Sequence, residues 1–243
     1  MIKRLLDIVI SLIGLICFSP ILLFASILVW SNDKKSPFYI PPRVGKKGKI
    51  FYMVKLRSMV VNADKTGVDS TSNNDLRITS VGQKIRKYKL DELTQLWNVF
   101  LGDMSVVGPR PNVKAEVDLY TDVEKELLSI KPGITDFSSI VFSDEGKILE
   151  DKKDPDLAYH QLIRPWKSRL GLIYIKHRSI TLDFEIIIYT LIALISKRTA
   201  LNWVSKKLEK FRVDKDLVNI SKREIELFPY PPPGAHYVIT SRK

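Results

Sequence analysis

The amino-acid sequence predicts a mainly α-helical protein with one short β-hairpin, joined to an N-terminal membrane hairpin made of a helix, a break and a second helix. Three observations support this fold class. Residues 5–30 form one apolar run, glycines precede a short alternating segment at 51–56, and most of the remaining chain places apolar residues at helical spacing. We therefore expect a re-entrant membrane hairpin at 1–35, a cytoplasmic α-rich domain with interfacial amphipathic helices at 36–196, and a C-terminal extension at 197–243.

The apolar run at 5–30 is long enough to cross a membrane. As one straight helix it would measure about 39 Å, against a hydrocarbon core of about 30 Å, and Asp7 is its only charged residue. A cleaved signal peptide is disfavoured, because the run is too long and no small-residue cleavage site follows it. Two alternatives remain: a helix that spans the membrane, and a re-entrant helix that enters and leaves on the same face.

Two features favour the re-entrant alternative. Ser19 and Pro20 stand in the middle of the run, where a proline removes a backbone donor and a serine hydroxyl can bond the freed carbonyl. Basic residues flank the run on both sides: Lys3, Arg4, Lys34 and Lys35. Because Lys and Arg stay preferentially in the cytoplasm, positive charge at both ends predicts that both ends lie there.

After the apolar run, the sequence predicts a strand at 51–56, entered through a glycine-containing turn at 44–49, and a polar loop at 62–76. Helical periodicity predicts five further helices, at 79–89, 91–100, 116–130, 156–176 and 182–195. The last of these is too short to span a membrane and is either a core helix or an interfacial one. The tail at 206–243 is basic and rich in proline near its end, so we expect it to be extended and peripheral.

The chain is basic, with 39 Lys and Arg against 27 Asp and Glu, for a net charge of +12. Nucleic acid, an anionic lipid surface and phosphorylated small molecules would each suit this charge. The sequence contains no helix-turn-helix, RNA-recognition or zinc-finger signature, so we expect no nucleic-acid partner. A single cysteine, Cys17, and three scattered histidines exclude a disulfide framework and disfavour a zinc site.

The residues best suited to chemistry lie between 86 and 111. Asp91 and Glu92 begin a predicted helix, Arg86 precedes Asp91 by five residues, and Arg110 follows in a rigid Gly-Pro-Arg-Pro turn. Arginine grips phosphate with two parallel hydrogen bonds, and a helix N-terminus attracts anions. Carboxylates with substrate phosphates are the usual ligands of Mg²⁺, and a carboxylate can attack phosphorus as a nucleophile. These residues predict a Mg²⁺–diphosphate pocket; a solvated helix face, or an N-cap role for Asp91, is the alternative.

Several segments together give the chain a resemblance to a known family. The matching pieces are Ser19-Pro20, RVGKKGK at 43–49, KLRSM at 55–59, the RIT…VG segment at 77–82, LDELTQLWNVFLGDMSVVGPRP at 90–111, KPGIT at 131–135 and SITLDFEII at 179–187. In their order and spacing, these pieces resemble the monotopic phosphoglycosyl transferases, also called the bacterial sugar transferase family. The resemblance covers residues 1–196.

The resemblance implies an enzyme that transfers a phosphosugar from a UDP-sugar to polyprenyl phosphate, usually undecaprenyl phosphate, and releases UMP. It implies that Asp91 is the nucleophile, which forms a covalent phosphosugar intermediate, and that Mg²⁺ is the cofactor. Glu92 matches the partner of that nucleophile, which helps to hold the metal or to position the attack. Arg86 matches an arginine that holds a phosphate.

The resemblance also implies a location and a pathway. Ser19 and Pro20 match the hairpin break that keeps these enzymes on the cytoplasmic face of the bacterial inner membrane. Pro109, Arg110 and Pro111 match an element near the substrate. The product would begin a cell-surface glycan such as a capsule, O-antigen, exopolysaccharide or glycoprotein glycan. The extension at 197–243 exceeds the minimal catalytic unit, and we interpret it as an interaction element, with a homodimer as one expectation.

Some assignments stay open at this point. Lys55 and Arg57 either bind the donor's phosphates or face anionic lipid. Asp183 matches an acid of the family, for which a buried capping role and a catalytic role both fit. The run at 136–139 departs from many members near the expected donor site, so the resemblance does not specify the sugar.

Two other functions fit part of the sequence. A membrane-anchored scaffold would use the same apolar run and basic surface without needing Asp91, so the variant Asp91→Asn separates it from the enzyme. A transferase with many spanning helices would use the same substrates, but only one spanning candidate exists in the sequence.

Overall fold

The structure, a computed structural model, is mainly helical, with 58% of residues in helices and few in strands. It describes residues 2–66, 71–72 and 74–241, without the side chains of 65 and 66, so the predicted loop at 62–76 lies partly outside the described residues. The helices are α1 Ile2–Asp33, α2 Ser80–Lys87, α3 Leu90–Leu93, α4 Leu96–Leu101, α5 Lys114–Asp118, α6 Phe137–Val141, α7 Glu145–Ile148, α8 Pro155–Ala158, α9 Arg164–His177, α10 Ile180–Ile195, α11 Lys197–Lys210 and α12 Lys215–Lys222. Short 3₁₀ segments occupy Lys46–Gly48, Ala63–Thr66 and Glu124–Ser129, and one π-helical turn occupies Tyr159–Ile163.

Helix α1 holds the apolar run in one piece. It continues through Ser19 and Pro20, so the predicted division into two helices is wrong. The backbone tolerates the proline because the Ser19 hydroxyl donates to the Ile16 carbonyl at 2.8 Å, the carbonyl that Pro20 leaves without a donor. Within the described residues, α1 is the one helix long and apolar enough to cross a membrane.

The N-terminal end of α1 is fixed to the rest of the protein by its charged residues. The Lys3 ammonium lies 2.5 Å from the Asp183 carboxylate, and the Arg4 guanidinium donates to the carbonyls of Val99 and Phe100 at 2.6 and 2.7 Å. The buried Asp7 carboxylate accepts from the Ser105 hydroxyl and the Val106 amide, both at 3.0 Å.

The other end of α1 contacts the same body. Arg57 holds Asp33 with two hydrogen bonds of 2.6 and 2.7 Å, while Ala25 and Val29 pack into a small cluster with Leu56 and Ile85. These partners lie on β4 Lys55–Leu56, just after it, and on α2. Both ends of α1 are therefore attached to one folded unit.

Three pairs of short strands complete the structure: β1 Phe38–Tyr39 with β4, β2 Pro42–Val44 with β3 Ile50–Tyr52, and β5 Ser105–Val107 with β6 Gly133–Thr135. The β2–β3 pair is the predicted hairpin, but the strand predicted at 51–56 is divided into β3 and β4, and β4 pairs with β1 instead. The β5–β6 pair is parallel and was not predicted, because three-residue strands carry too little periodicity to be recognised. At this pair the backbones approach so closely that a Cβ added at Gly133 would lie 2.1 Å from the Gly108 nitrogen.

The main hydrophobic core is built around α9, with Trp166, Leu170 and Tyr174 almost completely buried. Helices α10, α11 and α12 pack against this core. The prediction of an extended, peripheral tail from residue 206 is wrong over its first part, since α11 and α12 are helical. They bury Val204, Leu208 and Ile220, apolar residues that are spaced widely among basic ones.

Three other predicted helices differ from the structure. The segment 91–100 is divided into α3 and α4, with a turn at Thr94 and Gln95 between them. The segment 116–130 is divided into α5 and the 3₁₀ segment Glu124–Ser129, because Thr121 and Glu124 form a reciprocal capping pair. The Thr121 hydroxyl accepts from the Glu124 amide, and the Glu124 carboxylate accepts from the Thr121 amide, both at 3.1 Å. The segment 156–176 contains α8, the π turn and α9 in direct succession. Helices α2 and α10 match their predicted positions closely.

Candidate active site

The site begins at a sharp turn between α2 and α3. Lys89, two residues after the end of α2, adopts the left-handed conformation with φ of 53°, so the chain changes direction there before α3 begins. Asp91 and Glu92 lie in the first turn of α3, while Arg86 lies in the last turn of α2. Asp91 is therefore not the N-cap residue, a position that Lys89 occupies without a side-chain hydrogen bond.

Two buried polar side chains join this helical segment to the strands. The Thr94 hydroxyl donates to the Val54 carbonyl at 2.9 Å. The Asn98 side chain accepts from the Val54 amide at 2.8 Å and donates to the Tyr52 carbonyl at 2.7 Å. These bonds hold the backbone just before Lys55 beside α3. Sequence reasoning missed Thr94 and Asn98, although two polar residues four apart among the apolar ones of 91–100 were the available signal.

The turn opens into a pocket of about 580 Å³. It brings together six of the residues predicted from the sequence: Lys55, Arg86, Asp91, Glu92, Arg110 and Pro111. Its charged lining comprises Arg43, Lys55, Arg86, Lys87, Lys89, Arg110 and Lys167 with Asp91, Glu92, Glu116 and Glu145. Among the residues that the structure describes, seven cations against four carboxylates make the pocket suitable for a ligand with several negative charges.

Glu92 and Arg110 form an ion pair in the pocket at 2.5 Å, with 22% and 29% of their side chains exposed. Burial alone would raise the pKa of Glu92, but the charges of Arg110 and Lys55 outweigh it and hold that pKa at about 2. The Glu92 charge in turn raises the pKa of Arg110. Both side chains are therefore charged at neutral pH, and Arg110 is held in a fixed position.

Asp91 stands beside this pair in a different state. In the described part of the chain, no donor lies within hydrogen-bond distance of the Asp91 carboxylate. Burial raises its pKa, against the charge of Lys55. For Lys55 itself, burial and then the Arg110 charge lower the pKa to about 8. An unpaired, partly desolvated carboxylate among cations is an available nucleophile.

Further lining comes from other parts of the chain: Ser138 and Ser139, which lie in the run 136–139 that the resemblance placed near the donor site, and Tyr159, which sequence reasoning did not connect with the site. The buried Asp136 orients the two serines, accepting from both hydroxyls at 2.7 to 2.9 Å. No local pattern marks these residues, because they come together only when β6, α6 and the π turn pack.

The other predicted residues lie outside the pocket. Arg57 is engaged with Asp33 at the end of α1. Asp183 binds Lys3 and accepts from the Tyr174 hydroxyl at 2.6 Å, which is a structural role in joining α10, α9 and α1. Pro109 packs beside Gly171 of α9. Ser19 and Pro20 are exposed in the middle of α1.

The carboxylates suit a metal bound through a substrate. Among the described residues, no group of three or more His, Cys, Asp or Glu side chains converges. Asp91 and Glu92 share one pocket with the cations named above. This donor set fits Mg²⁺, which commonly takes one or two carboxylates and completes its shell with substrate phosphates and water.

Comparison with known proteins gives consistent matches. The chain is 32% identical over 194 residues to the UDP-N-acetylgalactosamine-undecaprenyl-phosphate N-acetylgalactosaminephosphotransferase of Aeromonas hydrophila, covering 78% of this chain and 43% of that protein. It is 36% identical over 192 residues to the UDP-glucose:undecaprenyl-phosphate glucose-1-phosphate transferase of Klebsiella pneumoniae, covering 77% and 39%. It is 42% identical over 148 residues to the undecaprenyl-phosphate galactose phosphotransferase of Salmonella typhimurium, covering 55% and 31%.

The chain spans less than half the length of each of these three relatives. The sequence model described as "Bacterial sugar transferase" matches residues 1–197, which include α1, every pocket-lining residue and α10. Because this match covers most of the chain, the protein belongs to the bacterial sugar transferase family.

Proposed function

We propose that this protein transfers a phosphosugar from a UDP-sugar to polyprenyl phosphate, with Asp91 as the nucleophile. The observation that carries the proposal is the Asp91 carboxylate, which has no hydrogen-bond or ion-pair partner among the described residues, in a pocket lined by more cations than carboxylates. The neighbouring Glu92 is already paired with Arg110. The named relatives support the reaction class, since two of the three described above are named as undecaprenyl-phosphate phosphotransferases and the third as an undecaprenyl-phosphate glucose-1-phosphate transferase.

In the first step, an Asp91 carboxylate oxygen attacks the β-phosphorus of the UDP-sugar. The bond from that phosphorus to the bridging oxygen breaks, and UMP leaves with the bridging oxygen and its electron pair. The sugar phosphate is now an acyl phosphate on Asp91. Lys55, Arg86 and Arg110 face the pocket, where they neutralise the charge of the diphosphate and of the departing UMP.

In the second step, an oxygen of polyprenyl phosphate attacks the same phosphorus. The bond to Asp91 breaks and restores the free carboxylate, so the product is a polyprenyl diphosphate sugar. Asp91 and Glu92 would hold Mg²⁺ together with the diphosphate, and the ion would supply further charge neutralisation. Glu92 also positions Arg110 for the phosphates through its ion pair.

The contacts of α1 support a re-entrant location at the cytoplasmic face of the inner membrane. A straight spanning helix puts its ends on opposite sides of a bilayer. Here Lys3 and Arg4 at one end and Asp33 at the other bind the same folded unit. Between them α1 exposes large apolar side chains such as Ile16 and Leu23, at 64% and 65%. We propose that this exposed surface contacts membrane lipid.

The relatives' names specify N-acetylgalactosamine, glucose and galactose, so the donor sugar of this chain has to be determined by assay. Other relatives are exopolysaccharide production proteins, which supports a role at the start of surface-glycan assembly. A homodimer formed through the extension at 197–243 stays a prediction, to be checked by light scattering of the purified protein.

The decisive experiment measures UMP release by the full chain in nanodiscs, with Mg²⁺, undecaprenyl phosphate and a panel of UDP-sugars. We expect Asp91→Asn to lower turnover by about 10³-fold or more, since a side-chain amide is a far weaker nucleophile than a carboxylate. The matched control is Asp118→Asn, which removes an exposed carboxylate paired with Lys114 outside the pocket.

Each result has a definite meaning. Release that depends on lipid, Mg²⁺ and Asp91 would establish the reaction and identify the sugar. Equal turnover in wild type and Asp91→Asn would refute the assignment of the nucleophile. Trapping the donor without acceptor should leave one phosphosugar on the wild-type chain and none on Asp91→Asn, as measured by intact-protein mass spectrometry.

A further inference from the structure

The segment 142–146 forms one wall of the pocket, and on the side away from the pocket it is bound by the C-terminal part of the chain. Phe142, Ser143, Glu145 and Gly146 line the pocket, whereas Asp144 does not. Its side chain points instead towards the C-terminal part of the chain, and 32% of its surface is exposed. The lining residues and Asp144 thus lie on opposite sides of the same short segment.

Two cations from the C-terminal extension meet the Asp144 carboxylate. Lys197, the first residue of α11, lies 2.8 Å from it, and Arg223, the residue that ends α12, lies 3.5 Å from it. Burial alone would raise the pKa of Asp144, but Lys197 and then Arg223 lower it, so the carboxylate is charged at neutral pH. The Arg223 guanidinium also lies over the Phe142 ring, at 5.6 Å from its centroid.

The extension is itself firmly held, so these contacts have a rigid support. Leu208 of α11 and Ile220 of α12 are fully buried in the same core as Val141 of α6, the residue just before the pocket wall. Arg223 sits in the left-handed conformation that ends α12, with φ of 55°, which directs the chain out of the helix beside the wall. It lies beyond the family match, which ends at residue 197.

The wall is connected to the reacting end of the pocket. Glu145 pairs with Lys167 at 2.7 Å, and both side chains line the pocket. The Glu145 charge also acts on Arg110, the partner of Glu92. A shift of the segment 142–146 would therefore move a carboxylate and an aromatic ring relative to the phosphate-binding cations.

We propose that Lys197 and Arg223, acting through Asp144, are positioning residues that set the affinity of this site for its nucleotide donor. The proposal rests on the proposed function, since it assigns the pocket to a UDP-sugar. It predicts that donor binding in this chain is adjusted by Lys197, the last residue of the family match, and by Arg223, which lies beyond that match. We call Asp144, Lys197 and Arg223 the clamp. The chemistry at Asp91 should be unaffected, because the clamp does not touch the reacting groups.

The test uses the full chain in nanodiscs, with UDP as the binding probe in isothermal titration calorimetry and UMP release as the kinetic readout. Arg223→Ala and Asp144→Asn should each weaken UDP binding by about tenfold and raise the donor KM by a similar factor. The value of kcat should stay within about twofold, because transition-state groups are untouched. Arg223→Lys keeps the charge and should retain most of the affinity.

The matched control is Lys222→Ala. Lys222 precedes Arg223 and pairs with Glu209 at 3.1 Å within the same extension, without contacting the pocket wall. Thermal unfolding of every variant separates loss of the fold from loss of the site, and Lys197→Ala supplies a second test of the clamp if Arg223→Ala unfolds.

Unchanged UDP affinity in both Arg223→Ala and Lys197→Ala would overturn the proposal, as would an equal loss of affinity in Lys222→Ala. Failure of the proposed function looks different. In that case wild type would bind no UDP and release no UMP from any donor, and the proposal would fall with it. If turnover depends on Asp91 but Arg223→Ala has the same donor KM and UDP affinity as wild type, the proposed role of Asp144, Lys197 and Arg223 would be overturned and the proposed function would stand.

Discussion

Asp91 and Glu92 are neighbours in the sequence, yet the fold gives them different environments. Glu92 is paired with Arg110 and its pKa is held at about 2, whereas burial raises the pKa of the unpaired Asp91. Two carboxylates whose pKa values are pushed apart commonly take different roles. The pairing leaves Asp91 as the group that is free to form a bond, and Glu92 as the one that orients a cation.

Lys55 should give the reaction an alkaline limit. Its pKa of about 8 means that the ammonium is charged below that pH and neutral above it. Loss of the charge weakens binding of the donor's phosphates, so kcat/KM for the UDP-sugar should fall as pH rises through about 8. In Lys55→Arg, whose guanidinium keeps its charge, this fall should disappear from the range up to about pH 10. A pH–rate profile of the free enzyme measures both, and an identical alkaline limb in the two proteins would contradict the assignment.

At the scale of elements, the sequence predicted the helices with an uninterrupted apolar pattern. Helix α10 and helix α2 are examples, the latter with Thr79 as its N-cap. The helix predictions failed where a side-chain hydrogen bond accompanies a break in the helix. The Thr94 hydroxyl bonds to Val54 between α3 and α4, and the Thr121 hydroxyl caps the 3₁₀ segment that follows α5. Such effects depend on tertiary partners that a local pattern does not contain.

In the candidate site, too, the residues close together in sequence were predicted from the local pattern, and those brought together by tertiary packing were not. Six predicted residues share the pocket because five of them lie in or near the continuous segment 86–111, where sequence order implies proximity. The serines at 138 and 139 and the wall at 142–146 come from another part of the chain. Their position depends on the packing of α6 against α9 and α11, and the burial of α11 was hidden by its many basic residues.

The ion pair between Glu124 and Arg164 should be important for stability. It joins the 3₁₀ segment to α9 at 2.6 Å with both side chains almost completely buried, and Ser168 donates to the same carboxylate at 2.7 Å. Glu124→Gln would leave the Arg164 charge buried without its counter-charge, so we expect a loss of about 3–5 kcal/mol in the free energy of unfolding. Urea denaturation in detergent measures it.

The control for this prediction is the exposed pair of Lys114 and Asp118, whose side chains are 71% and 58% exposed. Because solvent screens such a pair, Asp118→Asn should change the free energy of unfolding by about 0.5 kcal/mol or less. If the two substitutions had equal effects, the buried pair would not have the structural role assigned to it.

At the scale of the whole molecule, α1 lies beside the candidate active site. Its C-terminal half packs on Leu56 and Ile85, and Leu56 is the neighbour of Lys55 in the pocket. The cationic pocket therefore lies directly beside the helix that we propose to be embedded in lipid. This arrangement would bring a lipid-linked phosphate to Asp91 without removing its apolar chain from the bilayer.

The re-entrant proposal can be tested by cysteine labelling in a Cys17→Ser background, since Cys17 is the single cysteine of the chain. Ile2→Cys and Ile40→Cys should both react with a membrane-impermeant maleimide in inside-out vesicles and both be protected in intact spheroplasts. Ser19→Cys should be protected from the polar reagent in both preparations, because it lies in the middle of the apolar helix. Labelling of Ile2→Cys in spheroplasts would show a spanning helix and leave the catalytic assignment intact.

The long sequence separation between α1 and its polar partners has a consequence for biosynthesis. Asp7 is made 98 residues before Ser105, its hydroxyl donor, and Lys3 is made 180 residues before Asp183. At translation rates of about 5–20 residues per second, the first interval alone lasts roughly 5–20 seconds. During this time the apolar helix carries a carboxylate without its final donors. The segment that leaves the ribosome first is therefore among the last to reach its native position, and α1 can dock fully only after α10 has been synthesised.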